Sequence, residues 1–542
     1  MSSKTSFRGT AVMIMFSVLL SRLLGFFRTA LIPARMGGYS SVADAYNAAF
    51  QIPDLMYGLL VGGAIAASLI PMLTSYVEKK EEKEGWKVVG TYINVMILIM
   101  FVLCILGVLF APQLMNLVAR GFQSAPPEKM ALAVKLTRIL MPISFFMMLS
   151  GFCNGILNSY SKFVVAAFGP CAYNLATVLS IVFLSNSDEA ANYGADKVVL
   201  GIVICAILYF ILQFSFTVKY LRNYRPTLHM THPDFHKMVR LAVPTLLTSA
   251  FVQVNFIISK YYTTFFDEGS LSALEVAGKT WQMPLGIIAQ AVGVAILPSL
   301  SALYAFGKYE ELGEKLNSAI RFVLFLAIPA AAALAIISKP TIQLLFNWGN
   351  LDESAVNLTA LMLTFYSFSV VTQSVNTIMN RAYYSTKNSL LPFVAGSIGM
   401  MVNFLLAYTM TRTTDLGAAG VALAYSFATV FITLTLLMLF RKRIDGFRFI
   451  NRPGFLGRTL IAAAAMGLIV LAADRWFLPL VFGSDIFRIS KSLQILWVLA
   501  EVGVGLAGYA LIAYMLGIDE MKQIWNGILG KVKQLTNNGN NV

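Results

Sequence analysis

The run TAVMIMFSVLLSRLLGFFRTALIPA, Thr10 to Ala34, decides the class of this protein. It is long enough to cross the ~30 Å hydrocarbon core of a bilayer as a helix, yet it carries two arginines, Arg22 and Arg28. Comparable apolar runs recur from end to end of the 542-residue chain, which is 58% hydrophobic and only 12% charged. A soluble protein carries roughly 25% charged residues, and a transmembrane barrel shows alternating segments of about ten residues instead. The expected fold class is therefore all-α, a polytopic membrane protein. Lys4 and Arg8 flank the first run like the basic region of a secretory signal. Arg22 interrupts that run and no small-residue cleavage site follows it, so it is expected to stay as the first span.

Apolar length and polar breaks place fourteen spans, at about 10–34, 43–76, 88–112, 130–158, 163–184, 198–221, 239–262, 271–304, 317–338, 354–381, 389–411, 416–440, 458–480 and 492–516. The longest must tilt or kink, and Pro53 with Gly62 and Gly63, and Pro284 with Gly293, supply the kinks. Most of the 41 Lys and Arg fall in the termini and the even-numbered loops, such as EKKEEKEGWK (Glu78 to Lys87), which puts both termini on the cytoplasmic side. The opposite loops include the acidic SDEAANYGAD (Ser187 to Asp196) and DEGS (Asp267 to Ser270). The net charge of +15 is thus a topology signal and an attraction to anionic lipid headgroups, with no basic soluble domain to suggest nucleic acid. Cys104, Cys153, Cys171 and Cys205 lie in apolar segments without paired or metal-ligand spacing and read as small buried hydrophobes.

The chain also repeats itself. PQLMNLVARG (Pro112 to Gly121) matches PTIQLLFNWG (Pro340 to Gly349), and LIPMLTSY (Leu69 to Tyr76) resembles ILPSLSALY (Ile296 to Tyr304) at nearly the same offset. Asn154 with Asn380, and Lys162 with Lys387, follow. The expected layout is two six-helix bundles in a parallel pseudo-repeat, residues 1–222 and 238–442, joined by a cytoplasmic loop at 223–237. Two extra helices and a cytoplasmic tail occupy 443–542. Transporters built this way hold their substrate between the halves and alternate access by rocking them.

Basic residues inside spans are the informative ones: Arg22, Arg28, Lys135, Arg138 and Lys279. A cation at mid-bilayer costs about 2.5–3.5 kcal/mol on insertion scales, so it normally faces a polar cavity or a partner. Arg22 and Arg28 differ in direction by about 120° around a helix. Asp44 opens span 2, Asp54 follows Pro53, and Glu275 with Lys279 form an i,i+4 pair on span 8. The plainer readings are snorkelling for the arginines and a simple helix pair for Glu275 and Lys279; Lys135 and Arg138, early in span 4, read as interfacial. A cavity rich in Arg and Lys suits an anionic substrate, and the guanidinium fork suits phosphate.

The string SRLLGFFR (Ser21 to Arg28), then DAYNAAFQIPDL (Asp44 to Leu55) and GGAIAASLIP (Gly62 to Pro71), resembles the opening of the MurJ (MviN) lipid II flippases, within the multidrug/oligosaccharidyl-lipid/polysaccharide exporter superfamily. GKTWQMPLGIIAQAVGVAILPSLS (Gly278 to Ser301) is similar to that family's other diagnostic region. The resemblance covers nearly the whole chain. It implies transport of lipid II, the undecaprenyl-diphosphate-linked muropeptide, from the inner to the outer leaflet of the bacterial cell membrane, without a cofactor. It implies a monomer working beside the cell-wall synthesis machinery and among membrane lipids. It also implies substrate-binding roles for Arg22, Arg28, Asp44 and Lys279; Ser21, Asp54, Glu275 and Gln282 are the further candidates for supporting residues. Tyr57 and Gly58 stand where relatives have a pair of arginines, and Gly278 stands where they have an acid. The family's groove for the polyprenyl tail falls on spans 13 and 14, where AAAAMGLIVLAA and GVGLAGYAL carry small residues that helix packing explains equally well.

HMTHPDFH (His229 to His236) has Pro233 breaking any metal-ligand spacing and reads as an exposed loop. No nucleotide-binding, nucleophile-elbow or zinc-protease string occurs. Coupling to sodium through Asn255 and Asn403, or to membrane potential acting on the cavity cations, both stay open. A polysaccharide-unit exporter, a drug antiporter and a non-transporting scaffold are the rival readings; a cation exporter would want an excess of cavity acids.

Overall fold

A computed structural model of the protein describes residues 2–60, 65–348, 351–388, 390–444, 446–449, 454–482 and 489–526. Gly62, Gly63, Gly349 and the tail TNNGNNV lie outside the described residues. The described elements are all helical. In chain order they are α1 (Ser2–Arg35), α2 (Ser41–Ala49), α3 (Gln51–Leu60), α4 (Ile70–Glu78), α5 (Glu82–Leu109), α6 (Ala111–Val118), α7 (Pro127–Ser159), α8 (Phe163–Leu184), α9 (Ala195–Thr217) and α10 (Pro233–Thr263). There follow α11 (Ser270–Ala305), α12 (Tyr309–Ile336), α13 (Ser338–Phe346), α14 (Glu353–Ser385), α15 (Leu390–Thr413), α16 (Ala419–Arg441), α17 (Phe455–Ala472), α18 (Leu478–Phe482) and α19 (Lys491–Met515).

Among the described residues, twelve helices are long and apolar enough to cross a membrane. Two segments read as spans from the sequence are outside the twelve. The stretch 43–76 is divided into α2, α3, a π-turn at Ile65–Leu69 and α4. The break at Phe50 follows from Pro53, which has no N–H to give the carbonyl of Ala49; separately, the Pro53 carbonyl accepts from Ser144 Oγ at 2.9 Å. The other segment, 239–262, lies in the unbroken α10, whose Gln253, Asn255, Ser259 and Lys260 dilute its apolar character.

Helix lengths recur in the order of the sequence correspondences. α5 and α12 each have 28 residues, α7 and α14 each 33, and α9 and α16 each 23. The short α6 and α13 carry Pro112 and Pro340 near their starts.

The chain divides into two compact units, Met1–Val276 with Trp348–Ala355, and Ala277–Asn347 with Val356–Val542. In the first, Trp86, Tyr92, Phe122 and Phe152 centre the core. α1 lies along α8 through small and polar side chains. Ser17 Oγ donates to the Ala167 carbonyl at 2.9 Å, and Asn174 Nδ2 donates to both the carbonyl and Oγ of Ser21 at 3.0 Å. Such contacts hold membrane helices where apolar burial gives little drive. Lys135 pairs with Asp196 at an exposed position. His232 caps α10, its Nδ1 accepting from Asp234 N at 3.1 Å, with Pro233 in the first turn. All four cysteines are buried and free.

In the second unit, α14 and α16 are joined by hydroxyl pairs, Ser369 with Ser426 and Thr372 with Thr429, each at 2.8 Å. The small faces of α17 and α19 meet: a Cβ built on Gly505 lies 3.1 Å from Val470, and one on Gly508 lies 3.1 Å from Ile469. Tyr509 donates to the Phe325 carbonyl at 2.8 Å, fixing this pair against α12. Leu117, Phe183, Leu468 and Leu480 stand exposed, as side chains bathed in lipid do.

Candidate functional site

Two charged clusters occupy the first unit, and they differ in kind. The first is sealed. Asp44, in the opening turn of α2, is 1% exposed; one oxygen accepts from Lys129 Nζ at 2.8 Å and from Gly269 N at 2.8 Å. Its other oxygen accepts from Ser272 N at 2.9 Å and Ser272 Oγ at 2.8 Å. The local sequence builds this. Ser40 caps α2 through Ala43 N, which turns Asp44 inward. Gly269 adopts φ +83°, and any Cβ there would lie 2.4 Å from Tyr39, so only glycine brings its N–H so close. Asn47 adds a bond to Ser272 Oγ at 3.1 Å. Lys129 is 6% exposed and its ammonium lies 4.5 Å from the Phe122 ring centroid. Asp44 thus ties α2 to the first turns of α7 and α11.

The second cluster is open. Arg28 of α1, half-buried, lies 6.0 Å from the ring centroid of Phe50, within electrostatic reach of Asp54 on α3 and Glu275 on α11, beside Tyr46 and Tyr173. Glu275 forms an ion pair with Lys260 of α10. The sequence expectation joined Glu275 to Lys279 along one helix. The observed partner comes from the neighbouring helix, because α10 and α11 turn back on each other through the short loop holding Gly269. Lys260 also lies within electrostatic reach of Asp54, whose own side is exposed. Tyr57 adjoins Asp54. A Cβ on Gly58 would lie 2.4 Å from Gln253 Nε2, so the glycine lets α10 approach α3.

The structure therefore brings together Arg28, Asp54 and Glu275. Ser21 is engaged with Asn174 in the α1–α8 seam. Arg22 is exposed on another side of α1, as its 120° offset from Arg28 requires. Lys279, in the second unit, is exposed and makes no ion pair among the described residues. Gln282 Nε2 donates to the Gly278 carbonyl at 2.7 Å, within its own helix. Sequence reasoning missed Lys260 and Lys129. Each stands at the end of its helix, where a lysine reads as interfacial, and nothing local announces a carboxylate from a distant segment.

Membrane-embedded cations facing carboxylates on separate helices suit the handling of an anionic group. Comparison with known proteins adds the identity of the fold. The family described as "Lipid II flippase MurJ" matches residues 34–490.

The chain belongs to the MurJ lipid II flippase family.

A relative from Bdellovibrio bacteriovorus, described as a probable lipid II flippase MurJ, is 27% identical over 520 residues, covering 95% of this chain and 96% of the relative. One from Vibrio cholerae with the same description is 25% identical, covering 94% and 96%. A solved structure titled lipid II flippase MurJ, inward closed conformation, has a TM-score of 0.76 at 24% identity and covers 94% of this chain and 99% of that one. A multidrug resistance MATE family transporter in an inward-facing conformation has a TM-score of 0.65 at 14% identity, covering 81% of this chain. These structural likenesses describe a fold that MurJ proteins share with transporters of that wider superfamily.

Proposed function

We propose that this MurJ family member is a flippase that moves the undecaprenyl-diphosphate-linked peptidoglycan precursor, lipid II, from the inner to the outer leaflet by alternating access. The observation that carries this reading is the family match over residues 34–490. The physical arrangement supports it. A headgroup bearing a diphosphate needs a polar path through the membrane, and Arg28 offers a guanidinium in a span, in reach of carboxylates that balance its charge while no substrate is bound. Arg22 and Lys279 are the further cations proposed to meet the diphosphate during transport. Asp44 is proposed to serve the site through the frame it ties together, all the bonds of its carboxylate being taken by protein.

The proposed topology has fourteen spans, with α2 to α4 and α10 supplying the two beyond the twelve apolar helices, and both termini cytoplasmic. The protein is proposed to act as a monomer in the bacterial cell membrane, with membrane lipids and the cell-wall synthesis machinery around it. Depletion tests the function: lipid II accumulates on the cytoplasmic leaflet and cells lyse. Unchanged outward exposure of lipid II after depletion, in cells without another flippase, overturns it.

A further inference from the structure

Lys260 has no role in the reading so far, although it is a cation within the same charged cluster. Four charged groups from four helices meet there: Arg28, Asp54, Lys260 and Glu275. Their charges sum to zero. The Lys260 and Glu275 side chains are 17% and 16% exposed, so the pair is largely withdrawn from water. Gln253 and Lys260 are seven residues apart, which puts them on one face of α10. On α3 the corresponding face carries Asp54 and Gly58, four residues apart. Gly58 lies against Gln253, and Asp54 within reach of Lys260. The α3–α10 seam, in segments proposed as spans, is therefore a polar stripe, and Asp54 opens it to accessible space.

A Lys–Glu pair that only clamped two helices would need neither a second carboxylate nor an arginine beside it. Here Lys260 pairs with Glu275 while Arg28 and Asp54 stand within electrostatic reach, so each cation has more than one carboxylate to draw on. A lipid-linked diphosphate brings two negative charges on adjacent phosphates. Arginine meets such a group through its planar fork and lysine as a compact point charge with three donors.

Resting on the flippase reading, we propose that Lys260 is a substrate-binding residue that leaves Glu275 for the diphosphate when substrate enters, while Asp54 and Glu275 are the resting counter-ions of Arg28 and Lys260. The carboxylates then compete with substrate. Removing one carboxylate strengthens binding, and removing its cation weakens it.

The test measures the affinity of the purified full-length protein for undecaprenyl diphosphate, with undecaprenol as the uncharged control, and thermal stability of each variant alongside. Lys260→Met is expected to weaken diphosphate binding at least tenfold, and Lys260→Arg to retain most of it. Glu275→Gln is expected to tighten binding several-fold, an effect that a clamp does not produce. Neither change moves the affinity for undecaprenol. If the wild-type protein binds the diphosphate and both Lys260→Met and Glu275→Gln bind it equally well, Lys260 is a clamp and the proposal fails while the flippase reading stands. If Lys260→Met does not fold, Glu275→Gln decides alone: unchanged or weaker binding overturns the proposal. Should the wild-type protein show no preference for the diphosphate over undecaprenol, the flippase reading itself falls.

Discussion

Arg28 and Asp44 are both charged residues of a membrane protein, but the first stands half-buried in a cluster whose Asp54 is exposed, and the second has its carboxylate enclosed by four protein bonds. Arg28 lies over Phe50 with two carboxylates in reach. Its replacement by alanine is expected to abolish complementation of a flippase-depleted strain while leaving membrane abundance intact, and lysine in its place to restore only part of the function, since the fork is lost. Growth and immunoblotting of membranes check both. Asp44 accepts four bonds in a site closed to water. Asp44→Ala leaves Lys129 buried without its partner, and breaking a buried pair in this way costs about 3–5 kcal/mol. Thermal unfolding in detergent should show that loss, and Asp44→Ala combined with Lys129→Met should recover part of it. The residue types in both clusters were legible in the sequence: Arg28, Asp44, Asp54 and Glu275 stand out as charges in apolar runs. Their partners were not. The bond of Asp44 to Lys129 joins positions 85 residues apart, that of Glu275 to Lys260 crosses the turn between two consecutive helices, and side-chain spacing along one helix says nothing about which face of another helix will lie beside it.

At the scale of the element, apolar length located the twelve long apolar helices, because a membrane span must satisfy its own backbone and so declares itself locally. What length could not convey was the division of the 43–76 segment at Phe50, where Pro53 withholds an N–H from the helix, and at the π-turn Ile65–Leu69. A second π-turn, Ala473–Phe477, follows α17 and carries Asp474. There Trp497 of α19 donates its Nε1 proton to both Asp474 Oδ1 at 3.3 Å and Glu501 Oε1 at 3.1 Å. Glu501 is 1% exposed, and its Oε2 has no hydrogen-bond partner among the described residues. Two buried acids sharing one indole donor inside a helix pair are a poor source of stability, since one bond does little to offset the desolvation of both. Glu501→Gln keeps an acceptor and removes one of the two acids, so the melting temperature in detergent is expected to hold or rise. Trp497→Phe leaves both acids without that donor and should lower stability by about 1–3 kcal/mol.

For the whole molecule, the question is what drives a doubly charged headgroup outward. The diphosphate moves from the negative to the positive side of an energised membrane, and each elementary charge crossing it is worth about 2.3 kcal/mol per 100 mV. Two negative charges crossing unaccompanied would gain about 4.6 kcal/mol per 100 mV, enough to bias transport strongly without any ion site. On the proposed reading the cations Arg28 and Lys260 belong to the protein and do not leave with the substrate, so they would neutralise it while bound without cancelling the charge delivered. In proteoliposomes with a potassium gradient and valinomycin, a potential negative on the side of substrate entry is expected to speed lipid II translocation, and the reversed potential to slow it. Replacing sodium with choline at a fixed potential should leave the rate unchanged. A rate that follows sodium and ignores the potential would mean that counter-ions travel with the diphosphate, and Asp54, the exposed carboxylate of the cluster, would be the first group to examine as their carrier.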